Sequence, residues 1–348
     1  MSILITGNHG FIGSWLNIFI NQIHPNKIIG IDNRVSLGER LVDKNKDSKS
    51  IVNEQFNNDL SNLDYLLDII QKHEITEIFH IAGQAIVPRC FEDPKLTFDS
   101  NVVSTFYLLE AARISKTIKK ICLVTSDKVY KNENKNKFFK EDDVLGGKDI
   151  YSTSKVICEH LADSYRKIHL DKTKIVEVVR LGNVVGGGDY SVNRLLPDLI
   201  RSYLQNTIFE VRYPQATRPF QHVLDVCNGI YSILMKNPLH NHDSYMGDCW
   251  NLGPRNNTSM IVGDVISLFK SVFELKDIKP RKNSLPEDIL LAVDNTKYVK
   301  IFGHPKYDSE HAVLESINWY KKVHLCNQSP WDLALKDTNH FLKNYHYL

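Results

Sequence analysis

The chain carries Thr6-Gly7-Asn8-His9-Gly10-Phe11-Ile12-Gly13, a Gly-x-x-Gly-x-x-Gly array between an apolar β-rich run and a helical period. Glycines at this spacing permit a tight turn, let the backbone approach a pyrophosphate and let a helix pack close on a strand. The helix N-terminus adds N–H groups and the positive end of its dipole. Asp32 closes the second strand-like run, nineteen residues after Gly13. A carboxylate there accepts hydrogen bonds from the adenosine ribose hydroxyls and repels a 2′-phosphate. Arg34 would favour that phosphate, but Asp32 sits closer to the ribose position, so NAD is the expected cofactor. Gly7, Gly10, Phe11, Ile12, Gly13 and Asp32 are the expected contacts. Asp59 and Leu60, after the third strand-like run, suit an adenine contact or, for Asp59, a helix N-cap.

The rest of the first half repeats this rhythm. Strands are expected over 3–6, 27–32, 52–57, 77–82, 119–126 and 174–181, with helices over 12–23, 63–73, 97–115 and 151–169. The strand runs are apolar throughout rather than alternating, as in a parallel sheet covered on both faces. The expected fold is therefore α/β, a Rossmann-type doubly wound parallel sheet with a smaller C-terminal substrate-binding lobe. A dinucleotide-binding domain over 1–182 and a substrate lobe over 183–348 follow, with a segment near 216–235 returning to the first domain. After Leu181 prolines punctuate shorter elements, and the tail past Trp331 reads as helical.

Composition excludes several classes. At 348 residues with a formal charge of +2, the chain has no basic tract of nucleic-acid type. Its six cysteines are scattered without Cys-x-x-Cys pairing, which fits a reducing cytoplasm rather than a disulfide scaffold. Its fourteen histidines form no ligand pattern, so no metal is expected. There is no signal-like N-terminus and no run of membrane-spanning length, so a soluble protein is expected.

The chemistry concentrates in Thr125-Ser126-Asp127-Lys128-Val129-Tyr130 and, downstream, Tyr151-Ser152-Thr153-Ser154-Lys155. Tyr151 and Lys155 are one helical turn apart and share a face. A phenol that titrates near ~10 is a poor base at neutral pH; an adjacent ammonium and a positive nicotinamide would lower that value. Lys155 can also hold the nicotinamide ribose, and Ser126 can orient the substrate oxygen. Alcohol oxidation needs only these three groups, so Asp127 and Lys128 are surplus to redox chemistry.

Glycine array, Asp32, Thr125-Ser126 and Tyr151/Lys155 together resemble the extended short-chain dehydrogenase/reductase superfamily and its nucleotide-sugar enzymes. The resemblance runs from Thr6 to about Tyr320 and is strongest to CDP-glucose 4,6-dehydratases. Further matches are Gly182-Asn183-Val184-Val185-Gly186-Gly187-Gly188-Asp189, Arg218-Pro219-Phe220-Gln221-His222-Val223 and Trp250-Asn251-Leu252-Gly253-Pro254. It implies oxidation of a sugar at C4, loss of water across C5–C6 and return of the hydride to C6. Asp127 is then the acid and Lys128 the base, a lysine standing where most relatives use glutamate. A lysine base must be neutral, which calls for burial and neighbouring positive charge. Asn183 and Arg218 match positions near the nucleotide diphosphate, although Arg218 could pair with Asp225 instead. Gln84 should lie near the glucosyl or nicotinamide pocket, beside Ala82 on the cofactor side.

Three positions depart from the CDP-glucose pattern: Ile12 replaces a lysine, Ile150 a proline, and Pro88-Arg89-Cys90 an Arg-Arg-Ser run. Nucleotide base and sugar therefore stay open, with UDP-N-acetylglucosamine 4,6-dehydratase as an alternative. A 4-epimerase would need no Asp127-Lys128 pair, and a non-catalytic dinucleotide sensor would need neither Tyr151 nor Lys155. In relatives, helices corresponding to 97–115 and 151–169 form a four-helix interface. Ile157, Leu161 and Tyr165 share a face here, so a homodimer or homo-tetramer is expected.

Overall fold

The computed structural model describes residues 2–23, 27–33, 41, 52–133, 137–281 and 290–345. Arg34 and most of the polar 33–49 loop lie outside the described residues.

Among the described residues, strands and helices alternate from the start of the chain. The strands are β1 (Ser2–Thr6), β2 (Lys27–Ile31), β3 (Glu54–Phe56), β4 (Glu77–His80) and β5 (Lys120–Ser126). The helices are α1 (Phe11–Ile23), α2 (Leu63–His73), the short α3 (Val87–Glu92) and α4 (Pro94–Phe98), and α5 (Ser104–Ile114). Next come α6 (Ile150–Ser164), β6 (Ile175–Leu181), β7 (Asn183–Val185), α7 (Leu195–Leu204), β8 (Phe209–Val211), β9 (Thr217–Arg218) and β10 (Phe220–His222). The remainder is α8 (Val223–Lys236), β11 (Cys249–Leu252), β12 (Met260–Ile261), α9 (Val262–Lys270), β13 (Ile278–Pro280), α10 (Thr296–Phe302), α11 (Ser309–His324) and α12 (Pro330–Asn344).

Seven strands form one sheet in the order β11-β6-β5-β4-β1-β2-β3, and every pairing in it is parallel. The six strands expected from the sequence are present, some shortened by one to three residues. The seventh, β11, was not anticipated: Cys249-Trp250-Asn251-Leu252 is too short to stand out from its surroundings, and its partner β6 lies far away in the chain. Apolar packing covers both faces. On one, Trp15, Phe19, Val226, Ile230 and Phe341 join a large cluster; on the other, Leu66, Ile69, Leu108, Leu109 and Ala162 join a second. This two-sided burial is why the strand runs show no alternation. The C-terminal helix α12 belongs to the first cluster, with Phe341 edge-on to Phe19 at 6.3 Å.

The span expected as one helix over 97–115 is interrupted. A wide π-helical turn at Asp99–Val103 joins α4 to α5, and a second follows α6 at Tyr165–His169. The first turn is occupied by Asn101, buried beneath the sheet's C-terminal edge. Around the main sheet lie three two-stranded pairs, β7 with β10, β9 with β12 and β8 with β13.

Candidate active site

In this strand order the chain leaves β1 in opposite directions, toward β2 and toward β4. Open parallel sheets bind ligands at such a switch point, outside the strand C-termini. A cleft lies there, walled by Gly7, Gly10, Phe11, Ile12, Gly13, Asp32, Asp59, Leu60 and Ala82. All nine proposed dinucleotide contacts outside the Tyr151/Lys155 pair are thus brought to one cavity.

The glycine turn follows from sterics. Gly7 holds φ +69°, and a Cβ there would sit 2.7 Å from the Ala82 backbone. At Gly13 a Cβ would fall 2.1 Å from the Gly7 carbonyl oxygen, so α1 could not start this close to β1. A Cβ at Gly10, by contrast, would meet only that same carbonyl at 3.2 Å, leaving room for a phosphate beside the first N–H groups of α1. Asp32 Oδ2 accepts the His9 backbone N–H at 3.0 Å, tying the second strand's end to the glycine turn. Asp59 is not the cap of α2. Asn62 takes that role by accepting the Tyr65 N–H at 3.0 Å, whereas Asp59 accepts from Ser61 N at 2.7 Å within the loop before it.

The catalytic candidates come from β5 and the start of α6. Asp149 caps α6 by accepting from Ser152 N at 2.8 Å, and Ser152 Oγ accepts the Asp149 N–H at 3.0 Å. This box sets the first turn, with Tyr151 in it and Lys155 one turn on. Past the end of β5, Ser126 Oγ accepts the Lys128 N–H and donates to Asp127 Oδ1, both at 3.2 Å. The Ser126 hydroxyl is also near enough to the Tyr151 phenol to hold its pKa down. Lys155 Nζ donates to the Val124 carbonyl at 3.2 Å and lies just under the cleft wall, 3.2 Å from where a Gly83 Cβ would be. Ser126, Asp127, Tyr151 and Lys155 are all buried.

Burial governs the electrostatics. It raises the Tyr151 phenol to about 12, against the Ser126 hydrogen bond. It lowers the Lys155 ammonium, as expected for a cation out of water. The expected depression of the phenol by Lys155 is not what the chain itself produces: burial dominates, the opposing pulls come from Ser126 and Arg194, and the Lys155 amine is turned to Val124. Burial also raises the Asp127 carboxyl to about 6, opposed by the Lys128 charge, the Ser126 hydrogen bond and the Arg218 charge. An acid near neutrality suits proton donation. Lys128 is only half-buried, so the protein does not supply the full burial expected for a neutral lysine; its short 3₁₀ turn leaves the side chain at the surface of the site.

The substrate candidates are more dispersed. Arg218 is buried, donates from Nη1 to the Thr217 carbonyl at 2.9 Å and acts on Asp127. Its alternative partner Asp225 accepts the backbone N–H groups of Lys306 and Tyr307 at 2.8 and 2.9 Å. Asn183 opens β7 in register with Phe220. Gln84 lines the cleft, but its side-chain oxygen accepts the Ile86 N–H at 2.9 Å.

Asn101 was missed by sequence reasoning. Its side chain accepts the Gln84 N–H at 2.8 Å and donates to Ser154 Oγ at 2.8 Å, joining the loop after β4 to α6. The signal available was an amide inside an otherwise amphipathic helix. Arg194, which lines the cleft and pairs with Asp189 at 3.2 Å, sits in a loop with no sequence signature.

A switch-point cleft behind a glycine turn, with Tyr151 and Lys155 on one helix beside Ser126, defines an extended short-chain dehydrogenase/reductase. A family model described as GDP-mannose 4,6 dehydratase matches residues 4–313. The chain belongs to that family. It is 28% identical over 331 residues to a CDP-glucose 4,6-dehydratase of Salmonella typhimurium, covering 92% of this chain and 90% of the relative. A UDP-glucose 4-epimerase of Mycoplasma genitalium is 25% identical over 330 residues, covering 85% and 89%. Among solved structures, a dTDP-glucose 4,6-dehydratase of Bacillus anthracis in complex with NAD superposes with a TM-score of 0.76 at 25% identity, covering 96% of this chain and 99% of that one. No helix among the described residues is long and apolar enough to cross a membrane.

Proposed function

We propose that the protein is an NAD-dependent nucleotide-sugar 4,6-dehydratase, a hydro-lyase that converts an NDP-hexose, best read as CDP-glucose, to the NDP-4-keto-6-deoxyhexose. The observation that carries this reading is the buried Asp127 carboxyl. It is raised to about 6 and hydrogen-bonded to Ser126 beside Tyr151, so an acid that alcohol oxidation does not require stands at the oxidising centre.

Gly7, Gly10, Gly13 and the start of α1 would hold the pyrophosphate, and Asp32 the adenosine ribose. Asp59, Leu60 and Ala82 would flank the adenine and the rest of the dinucleotide, with Lys155 below the nicotinamide ribose. NAD held there would supply reversible storage for the hydride exchanged with C4 and C6. Tyr151 removes the O4 proton, with Ser126 orienting that oxygen. The resulting ketone acidifies C5, whose proton passes to the Lys128 amine while Asp127 protonates the C6 oxygen. Arg218 and Asn183 take the diphosphate, and Gln84 the sugar side of the pocket.

Incubation with NAD and a panel of CDP-, UDP-, dTDP- and GDP-glucose tests the reading. A 4-keto-6-deoxy product is expected, fastest from the CDP sugar. Simple inversion at C4, with the 6-oxygen retained, would establish a 4-epimerase instead.

The assembly proposed is a homodimer through α5 and α6. Phe98, Phe106, Ile114 and Ile168 are exposed on and beside those helices. Tyr165 instead turns inward, buried and bonded to Glu110. Light scattering coupled to gel filtration is expected to give twice the chain mass.

A further inference from the structure

Gly182 lies between β6 and β7, and polar atoms from two directions face the space above its Cα. A carbon at its missing Cβ would sit 3.1 Å from Asp127 Oδ2, 3.3 Å from Pro219 Cγ and 3.5 Å from Gln221 Nε2. Asp127 Oδ2 and Gln221 Nε2 are both buried without a hydrogen-bond partner, their residues 3% and 1% exposed. A buried polar group left unmade costs roughly 1–3 kcal/mol, so two of them converging on one point mark a place suited to a polar ligand atom. Asp127 Oδ1 is already engaged by Ser126; Oδ2 is the oxygen left to act. An amide donor and a carboxyl oxygen facing one point are complementary to a single hydroxyl or water oxygen.

We propose that Gln221 is a further substrate-contacting residue, whose Nε2–H donates to the same C6 oxygen that Asp127 protonates. The inference rests on the dehydratase reading. In the step, the C5–H bond breaks and its proton goes to the Lys128 amine. The electron pair left on C5 forms the C5=C6 bond, and the C6–O bond breaks. The departing oxygen takes the Asp127 proton and leaves as water. Gln221 exchanges no proton; its hydrogen bond strengthens as charge builds on the leaving oxygen.

The test uses the NAD-loaded protein and the same four NDP-glucoses, with Gln221→Met and Gly182→Ala as two independent variants. The first removes the donor, and the second sets a methyl group against Asp127 Oδ2 and Gln221 Nε2. In both, C4 oxidation, read as a transient 4-keto sugar, and C5 exchange with heavy water are expected to persist with KM little changed. Release of 4-keto-6-deoxy product should fall on the order of 10²-fold, the loss typical of one donor aimed at developing negative charge. Product release at the wild-type rate in either variant overturns the inference. So does equal loss of C4 oxidation and water release in both, which would mark a structural role. A wild-type protein that yields 4-keto-6-deoxy product from none of the four sugars overturns the dehydratase reading itself, and the role of Gln221 falls with it.

Discussion

Glu159 on α6 and Arg180 on β6 form a buried ion pair, Oε2 to Nη2 2.5 Å apart and each side chain 3% exposed. Glu159 Oε1 also accepts from Thr125 Oγ1 at 2.7 Å, immediately before Ser126. Arg180 Nη1 donates to the Tyr130 hydroxyl at 2.8 Å, and that hydroxyl donates to Asn251 on β11 at 2.7 Å. One carboxylate therefore joins the helix bearing Tyr151 and Lys155 to the strand ending in Ser126.

Removing one partner of such a pair leaves the other charge buried and uncompensated. Glu159→Gln is expected to destabilise the protein by about 3–5 kcal/mol. A urea melt of the two proteins measures it, and a shift within error of zero would show that Arg180 finds other acceptors.

Replacing Lys128 with alanine separates the two halves of the proposed reaction. C4 oxidation is expected to survive while exchange of the C5 proton with heavy water stops. Continued exchange, followed by NMR, would exclude Lys128 as the base.

Asp127 predicts a pH dependence of both rate and stability. As an acid it must carry its proton, so water loss is expected to fall as pH rises through about 6, a limb that Asp127→Asn should abolish along with most turnover. Stability follows the same direction. The folded-state value lies above that of an unfolded aspartate, so the native protein binds more protons between the two, and stability drops as pH rises through that window. At neutral pH the cost is on the order of 2–3 kcal/mol, and Asp127→Asn is expected to melt above wild type there by calorimetry.

The Tyr151 phenol, raised to about 12 by burial, must fall on formation of the working site if it is to serve as a base. With tyrosine labelled for NMR, NAD is expected to shift its titration downward. An unchanged titration would mean that the O4 proton goes elsewhere.

Asp32 should select the dinucleotide. Asp32→Ala is expected to weaken NAD binding about 10–100-fold, as for hydrogen bonds to a charged group, and to narrow discrimination against NADP. Calorimetric titration of both dinucleotides checks it.

Local chemistry made much of this protein legible in its sequence. Gly7 and Gly13 announce the turn because no side chain fits there, and Asp32 follows at the distance one helix and one strand require. Tyr151 and Lys155 share a face through helical geometry alone, and unbroken apolar runs identify a sheet covered on both sides. Long-range contacts and desolvation set the remainder. The seventh strand needed β6 as a template, and the raised Asp127 pKa arises from burial that no spacing encodes. Asn101 and Gln221 stand next to the site only because segments distant in the chain converge there. Sequence by itself determined the fold class and the glycine turn and named the candidate reactive groups, since these depend on short-range sterics and residue chemistry. Only the tertiary structure decided which of those groups are buried, which are held by partners and which two atoms converge beside Gly182, because burial and convergence are properties of the folded whole.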